Sequence, residues 1–221
     1  MSSTIRRSIE PKRPLFHVKL DFRSILEPLS TLQRGQLERF ESLLAEKAVP
    51  LGSVGASERS ILRDRHIYDS LRALGCIDQQ PVQIIDVGSG AGLPGVPLAI
   101  ARPDCAVSLI EPSVRRAAFL ELAIEALGLE NAQVVIATAD HASMLGDVVM
   151  ARALAGPLRT WAICSPLTRP TGFVLYFAGR SWREAGARQL AGRKVEWQVC
   201  VESEFPWQGP IVKMLPKRPS A

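Results

Sequence analysis

Hydrophobic positions along the chain change their period near residue 80. From Leu26 to Ala48, the residues Leu29, Leu32, Leu37, Phe40, Leu43 and Leu44 recur mostly at three- and four-residue steps, the spacing of one helix face. Ser30 or Thr31 is placed to cap the main part of this helix, and Pro50, Gly52 and Gly55 break it. A second helical stretch runs from Ser57-Glu58 to about Leu74, with Gly75 where a C-terminal cap belongs. From Val82 onward, short apolar runs alternate with helical patterns. Strands are expected over Val82–Val87, Ala106–Glu111, Gln133–Ala137, Asp147–Ala151 and Gly172–Phe177. Helices are expected over about Leu93–Ala101, Val114–Leu127, Gly156 or Pro157 to Cys164, and Ser181–Leu190. Lys194–Val201 and Pro210–Leu215 read as a closing antiparallel pair. The alternation predicts an α/β fold, a mostly parallel sheet covered on both faces. The expected layout is a basic flexible arm over 1–20, a helical layer over 21–77, an α/β core over 78–216 and a short tail over 217–221.

Composition narrows the class. Hydrophobic residues make up 47% of the 221-residue chain, enough for a full core. No apolar run approaches the ~18 residues of a membrane span, and the basic start lacks the apolar stretch of a secretory signal. Cys76, Cys105, Cys164 and Cys200 are widely spaced and never form CxxC, so reduced thiols in a cytoplasmic protein are expected. His17, His66 and His141 form no HExxH, and no metal site is expected. The net charge of +5 is uneven. Arg6, Arg7, Lys12, Arg13 and Lys19 face a single Glu10, and Lys213, Lys217 and Arg218 crowd the other end. Such ends either steer toward phosphates through salt-dependent contacts or are simply solvated.

The richest stretch is Gln83–Arg102, where a strand runs through Asp86 into a turn containing Gly88, Gly90 and Gly92 and then into a helix. Glycine permits a tight turn and close approach of a ligand to the backbone, and the following helix offers free N–H groups. This is where an α/β sheet grips a nucleotide-like cofactor. Asp86 would repel a pyrophosphate but suits a cationic or amino-bearing ligand, which favours S-adenosylmethionine over a dinucleotide. Glu111, at the end of the second strand, suits ribose hydroxyls and serves either cofactor. Asp140 follows the third strand and reaches toward an adenine amino group, or else caps a helix over His141–Leu145. The turn has no Gly-Lys-Ser or Gly-Lys-Thr, so it is no P-loop, and the surroundings of Ser89 are not GxSxG.

The stretch DVGSGAGLPGVPLAIARPD at 86–104, with RHIYDS at Arg65–Ser70, RRAAFL at Arg115–Leu120, LGLENAQVV at 127–135 and ARA at 151–153, resembles the bacterial 16S rRNA guanine-N7 methyltransferases, once called glucose-inhibited division protein B. The resemblance implies a class I S-adenosylmethionine-dependent methyltransferase (Rossmann-like) fold with added N-terminal helices. It implies S-adenosyl-L-methionine as methyl donor, and ribosomal RNA or the small ribosomal subunit as partner of a cytoplasmic monomer. By the same resemblance Asp86, Gly88, Ser89, Gly90, Gly92, Leu93, Glu111, Ala139, Asp140 and Arg152 form the cofactor side. Arg152 and Arg65 are the candidate catalytic residues, and His66, Asp69, Arg115, Arg116 and Arg180 the candidate RNA contacts. Arg65 and Arg152 have an alternative role as structural ion pairs, and His66 as a packed residue. Three departures stand out. The family's asparagine-leucine-threonine before the second helix is replaced by PLGSVGAS at 50–57, its lysine at the end of strand 5 by Ala178, and its serine before the strand 4 arginine by Ala151. They leave open another RNA or small-molecule acceptor, a non-catalytic RNA-binding protein of the same fold, or a nucleotide-dependent oxidoreductase.

Overall fold

The computed structural model describes residues 26–183, 186–203, 205 and 208–217. The basic arm expected over 1–20 lies outside the described residues. Helix α1 (Thr31–Leu43) continues into a wider π-helical turn over Leu44–Ala48. Residues 56–76 form a run of 3₁₀, π and short α turns rather than one uniform helix. The core then follows as β1 (Gln83–Val87), α2 (Gly95–Ala101), β2 (Ala106–Ile110), α3 (Val114–Leu127), β3 (Ala132–Val135) and β4 (Gly146–Arg152). It continues through α4 (Pro157–Cys164), β5 (Thr168–Phe177), α5 (Gly186–Leu190), β6 (Val195–Val201) and β7 (Ile211–Pro216). The helix expected over Ser181–Leu190 is instead a 3₁₀ turn at Arg180–Arg183 and the short α5, with 184–185 outside the described residues. Gly75 is not a left-handed cap. It lies inside the turn Arg72–Cys76, which ends at Ile77 in extended conformation.

One seven-stranded sheet has the order β3-β2-β1-β4-β5-β7-β6. Pairs among β1 to β5 are parallel, and β7 joins β5 and β6 antiparallel. Strand residues alternate between two cores. Ile84, Val107, Leu109, Val148, Met150 and Leu175 face one side, with α1, α2, α3 and the 56–76 segment. Ile85, Ile110, Val149, Val174 and Val212 face the other, with α4 and α5. The sheet changes winding direction between β1 and β4. In open α/β sheets ligands bind at that point, beyond the carboxyl ends of the strands.

The N-terminal layer is attached by polar bonds as well as by Leu37, Phe40 and Leu43. Ser30 and Gln33 form a reciprocal capping box: Gln33 N donates to Ser30 Oγ at 3.2 Å and Ser30 N to Gln33 Oε1 at 2.8 Å. The same Gln33 donates through Nε2 to Ile100 O at 2.9 Å and Ala101 O at 3.2 Å. Gln36 Nε2 donates to Leu127 O at 2.7 Å. The carbonyls of Ile100, Ala101 and Leu127, in the last turns of α2 and α3 where partners within the helix run out, are therefore satisfied by α1, while Asn131 Nδ2 donates to Ala99 O at 3.0 Å. This allows α2, the helix opening on the glycine turn, to be buried over its whole length.

Gln33→Ala removes half of the capping box and the bonds to two buried carbonyls. A loss of about 1–3 kcal/mol of stability is expected, measured by urea denaturation with an unchanged slope. A change within about 0.5 kcal/mol, the ordinary surface effect, would show that Gln33 does not hold the layer.

Candidate active site

The first wall of the site, the glycine turn, begins where β1 ends. Gly88 N and Ser89 N both donate to Ile110 O, at 2.9 and 3.1 Å, folding the turn over the end of β2. Ser89 Oγ donates to Asp86 O at 2.9 Å. Gly88, Gly90 and Gly92 have φ of 72°, 58° and 81°, left-handed values that strain any residue with a Cβ. At Gly92 sterics add to strain, because a Cβ would stand 2.6 Å from Val96 Cγ2 and 3.1 Å from Leu120 Cδ2. Gly90 is different: nothing lies closer than Gly88 O at 3.8 Å. Its open face is cavity, and only its backbone conformation and whatever fills that cavity constrain it.

Asp86 lies behind this wall. It is 1% exposed, and its Oδ2 accepts from Gly95 N at 3.0 Å at the start of α2. Burial pushes its carboxyl up to about 6, against the hydrogen bond from Gly95. Glu111 stands at the rim of the turn, also 1% exposed. Its Oε1 accepts from Ser113 N at 2.9 Å and from Arg116 Nε and Nη2 at 3.0 and 2.8 Å. Its Oε2 accepts from Gly90 N at 2.9 Å. A carboxylate oxygen has two lone-pair directions, so Oε1 is saturated and Oε2 has room for one more donor, such as a ribose hydroxyl. Arg116, expected as an RNA contact, is committed to Glu111, because a buried carboxylate needs a cation beside it. Sequence spacing hides this pairing, since the two residues lie on either side of the α3 N-terminus.

The opposite wall is a chain of alternating charges from the 56–76 segment and β4. Glu58 Oε1 lies 3.0 Å from Arg65 Nε, and Glu58 Oε2 lies 3.2 Å from His66 Nε2. His66 Nδ1 lies 3.3 Å from Arg152 Nη2. Arg152 Nη1 lies 3.6 Å from Asp69 Oδ2, and Arg72 Nη1 donates to Asp69 Oδ1 at 2.6 Å. A guanidinium only donates, so His66 Nδ1 carries the bare lone pair and the proton sits on Nε2 facing Glu58. Burial, and then the Arg152 charge, hold the His66 pKa below its ordinary 6.5. Burial also lowers that of Arg152, which Asp69 and Asp86 offset. Just past Arg152, Ala153 has a φ of 53°, a strained value of the kind that clusters at functional sites.

The two walls enclose a cavity of about 610 Å³, within the range of cofactor sites. Of the residues expected from sequence, it brings together Arg65, His66, Asp69, Gly88, Ser89, Gly90, Leu93, Glu111, Arg116 and Arg152. It does not bring in Gly92, which packs under the turn, or Asp86. Ala139 and Asp140 form a 3₁₀ turn outside the lining, with the Asp140 side chain 77% exposed. No helix follows for Asp140 to cap, since only residues 139–141 turn before β4. Arg115 and Arg180 are exposed and outside the lining. Ala178, the position of the family's lysine, lies in the wall, which draws its positive charge from Arg65, Arg72, Arg116 and Arg152.

The profile of the GidB family, rRNA small subunit methyltransferase G, matches residues 33–204. The chain belongs to this family. It is 43% identical over 151 residues to a ribosomal RNA small subunit methyltransferase G of Nocardioides sp., a match covering 66% of this chain and 59% of that protein. It is 40% identical over 153 residues to the Streptomyces coelicolor protein of the same name, covering 66% and 62%. The matched region thus spans about three fifths of the length of these relatives. The fold also appears in the ribosomal protein L11 methylase of Lactobacillus delbrueckii subsp. bulgaricus, at TM-score 0.55 and 14% identity over 70% of this chain and 79% of that one. A variant of MtNAS crystallised with S-adenosylmethionine gives TM-score 0.55 and 19% identity over 90% and 85%. The architecture is the class I methyltransferase fold.

Several lining residues of this GidB chain are not evident from sequence. Arg72 could have been found, because Asp69 and Arg72 are three residues apart in a helical stretch and such pairs meet. Glu58 precedes His66 by about two turns, but the segment bends through 3₁₀ and π turns, so helical spacing does not predict the contact. Gln208 and Gly209 come from the β6–β7 connection, and nothing local marks them.

His66 is the sensitive reporter of the charge chain. In an NMR titration its midpoint should lie below 6.5, with a nitrogen pattern showing the Nε2–H form. Glu58→Gln removes an anion and should lower the midpoint further; Arg152→Gln removes a cation and should raise it. Because the folded state disfavours the protonated ring, its contribution to stability is fully present above pH ~6.5 and declines as pH falls below that value. A midpoint above 6.5 in the wild type would contradict the geometry.

Proposed function

We propose that this protein transfers a methyl group from S-adenosyl-L-methionine to guanine N7 in 16S ribosomal RNA, acting as a cytoplasmic monomer on the small subunit or its RNA. The observation that carries this reading is the joining of two walls in one cavity. The glycine turn with Glu111 is built for a nucleoside, and the wall of His66, Asp69 and Arg152 faces it across the cavity. The relatives carry the name ribosomal RNA small subunit methyltransferase G, which supports the same acceptor.

The chemistry asks little of acids and bases. When bound, the cofactor supplies a methyl group already activated on a sulfonium, and the C–S electron pair stays with sulfur. Guanine N7 attacks with a lone pair in the ring plane and carries no proton in neutral guanine, so no base is required. His66, neutral and fixed between Glu58 and Arg152, is a wall element and not a proton shuttle. The chain must supply alignment and a stable electrostatic setting. Gly90 N–H and Glu111 shape the nucleoside side, Arg152 and Arg65 orient a phosphate or a base edge, and Asp69 holds Arg152 in place. The side chains of Arg115 and Arg180, exposed outside the cavity, add phosphate contacts.

Gly90→Asp places bulk and negative charge on the one open glycine of the turn. Calorimetry should show cofactor binding lost, about 100-fold or more weaker, equivalent to ~2.7 kcal/mol, with the fold retained by circular dichroism. Unchanged affinity would remove the turn from the site. Methyl transfer itself is read by incubating protein and labelled cofactor with 30S particles from cells lacking the endogenous enzyme, then mapping the product by mass spectrometry. Label on a guanine N7 of 16S RNA is expected. Label only on a small molecule, or tight RNA binding without transfer, would overturn the rRNA reading.

A further inference from the structure

Charge is divided between the two sides of the sheet. Residues 26–150, which include α1, α2 and α3, hold 16 Asp and Glu against 10 Lys and Arg. Residues 153–194, which include α4 and α5, hold seven Lys and Arg against Glu184 alone. Arg169 is spent on Asp147 at 2.7 Å. Arg159, Arg180, Arg188, Arg193 and Lys194 are exposed, and among the described residues none of them joins an ion pair. Packing sets these cations in one track. Helices α4 and α5 share an apolar core through Cys164, Leu190 and the half-buried Trp161 and Ala187. A Cβ on Gly156, just before α4, would stand 3.4 Å from Gln189 Oε1. The first turn of α4, with Arg159, therefore lies beside the turn of α5 that carries Arg188. Thr160, Cys164 and Leu190 face inward, and the two arginines face out. This end of the layer joins the cavity, because Leu154, two residues before Gly156, and Gly179, next to Arg180, both line it. Strand β6 runs in the same direction as β5. Arg193 and Lys194, just before Val195, therefore stand at the far end of the sheet, about 20 Å away at ~3.3 Å per residue of the seven-residue strand. Lys217 N donates to Lys194 O at 3.2 Å and brings a third exposed cation to that end.

We propose that the outer face of α4 and α5 is a second RNA-binding surface, which holds the phosphate backbone flanking the target base by charge and not by base sequence. It rests on the methyl-transfer reading of the cavity for where the RNA starts. Backbone leaving the cavity past Gly179 and Arg180 meets Arg159 and Arg188, and then Arg193 and Lys194. Like charges gathered without carboxylates repel one another and oppose the compact state. A row of phosphates relieves that repulsion, and the counterions it releases drive binding. Away from Arg115 at its cavity end, the opposite layer has an excess of carboxylates and gives the backbone no such path.

The test measures the affinity of the full chain for 16S RNA as a function of salt, beside methyl transfer to that RNA and cofactor calorimetry. Arg159→Gln/Arg188→Gln and Arg193→Gln/Lys194→Gln each remove two charges from the track. Arg39→Gln/Lys47→Gln removes two exposed charges from the α1 side. With a slope of about −0.7 to −0.9 per phosphate contact, each track pair should make the log–log salt dependence shallower by roughly 1.5 and weaken binding about 10-fold or more. The control pair should stay within about 2-fold, because it removes no phosphate contact. All three variants should keep wild-type cofactor affinity and circular dichroism. Equal losses in the control pair would overturn the surface and leave the methyl-transfer reading standing. So would track pairs that bind like a wild type that methylates 16S RNA. A wild type that binds RNA through the track without transferring methyl would overturn that reading and leave the surface standing. A wild type that neither binds nor methylates 16S RNA would overturn both.

Discussion

A buried arginine organises this molecule. Arg72 is 2% exposed, and a charge removed from water persists only when paired and hydrogen-bonded. Its guanidinium takes the Asp69 carboxylate on one side and the carbonyls of Glu202 and Gly209 on the other. One side chain therefore joins the N-terminal segment to both ends of the β6–β7 connection. It also orients Asp69, which faces Arg152, which in turn sets the tautomer of His66. The wall of His66, Asp69 and Arg152 is a consequence of satisfying that one charge.

The glycine-turn wall rests on a different constraint, backbone conformation. Left-handed glycines turn the chain back over β2 and expose the Gly90 N–H to Glu111. Glu111 is in turn held by Arg116 from the first turn of α3. A cation there opposes the helix macrodipole, and its pairing with a buried carboxylate explains why it is tolerated. Behind the turn, α2 is buried throughout, with its last carbonyls bonded by Gln33 of α1 and by Asn131. The extra N-terminal layer thus supports the glycine-turn wall through Gln33 and contributes His66 and Asp69 to the opposite wall of the cavity.

The α/β core was legible because its signals are local. Helix α3 runs over Val114–Leu127 as its pattern predicts, closed by Gly128 in left-handed conformation. The glycine turn was legible for the same reason, since glycine spacing, strand and helix lie within twenty residues. What escaped depends on tertiary contact. Gly75 looked like a cap, yet its turn stays right-handed and ends at Ile77. The bond from Arg116 to the buried Glu111 could not be read from spacing, because it depends on how the chain turns into α3. The exposure of Asp140 also escaped, because it depends on where the turn after the short β3 faces.

The central claim is that a methyl donor and a nucleic-acid base meet between these two walls. A crystal structure with the demethylated cofactor, S-adenosylhomocysteine, tests it most directly. The account predicts the ligand's nucleoside against Gly88–Gly90 with a ribose hydroxyl on Glu111 Oε2, and its sulfur directed toward Arg152 and His66. A ligand seated in another groove, or with its nucleoside against the His66 wall, would contradict it.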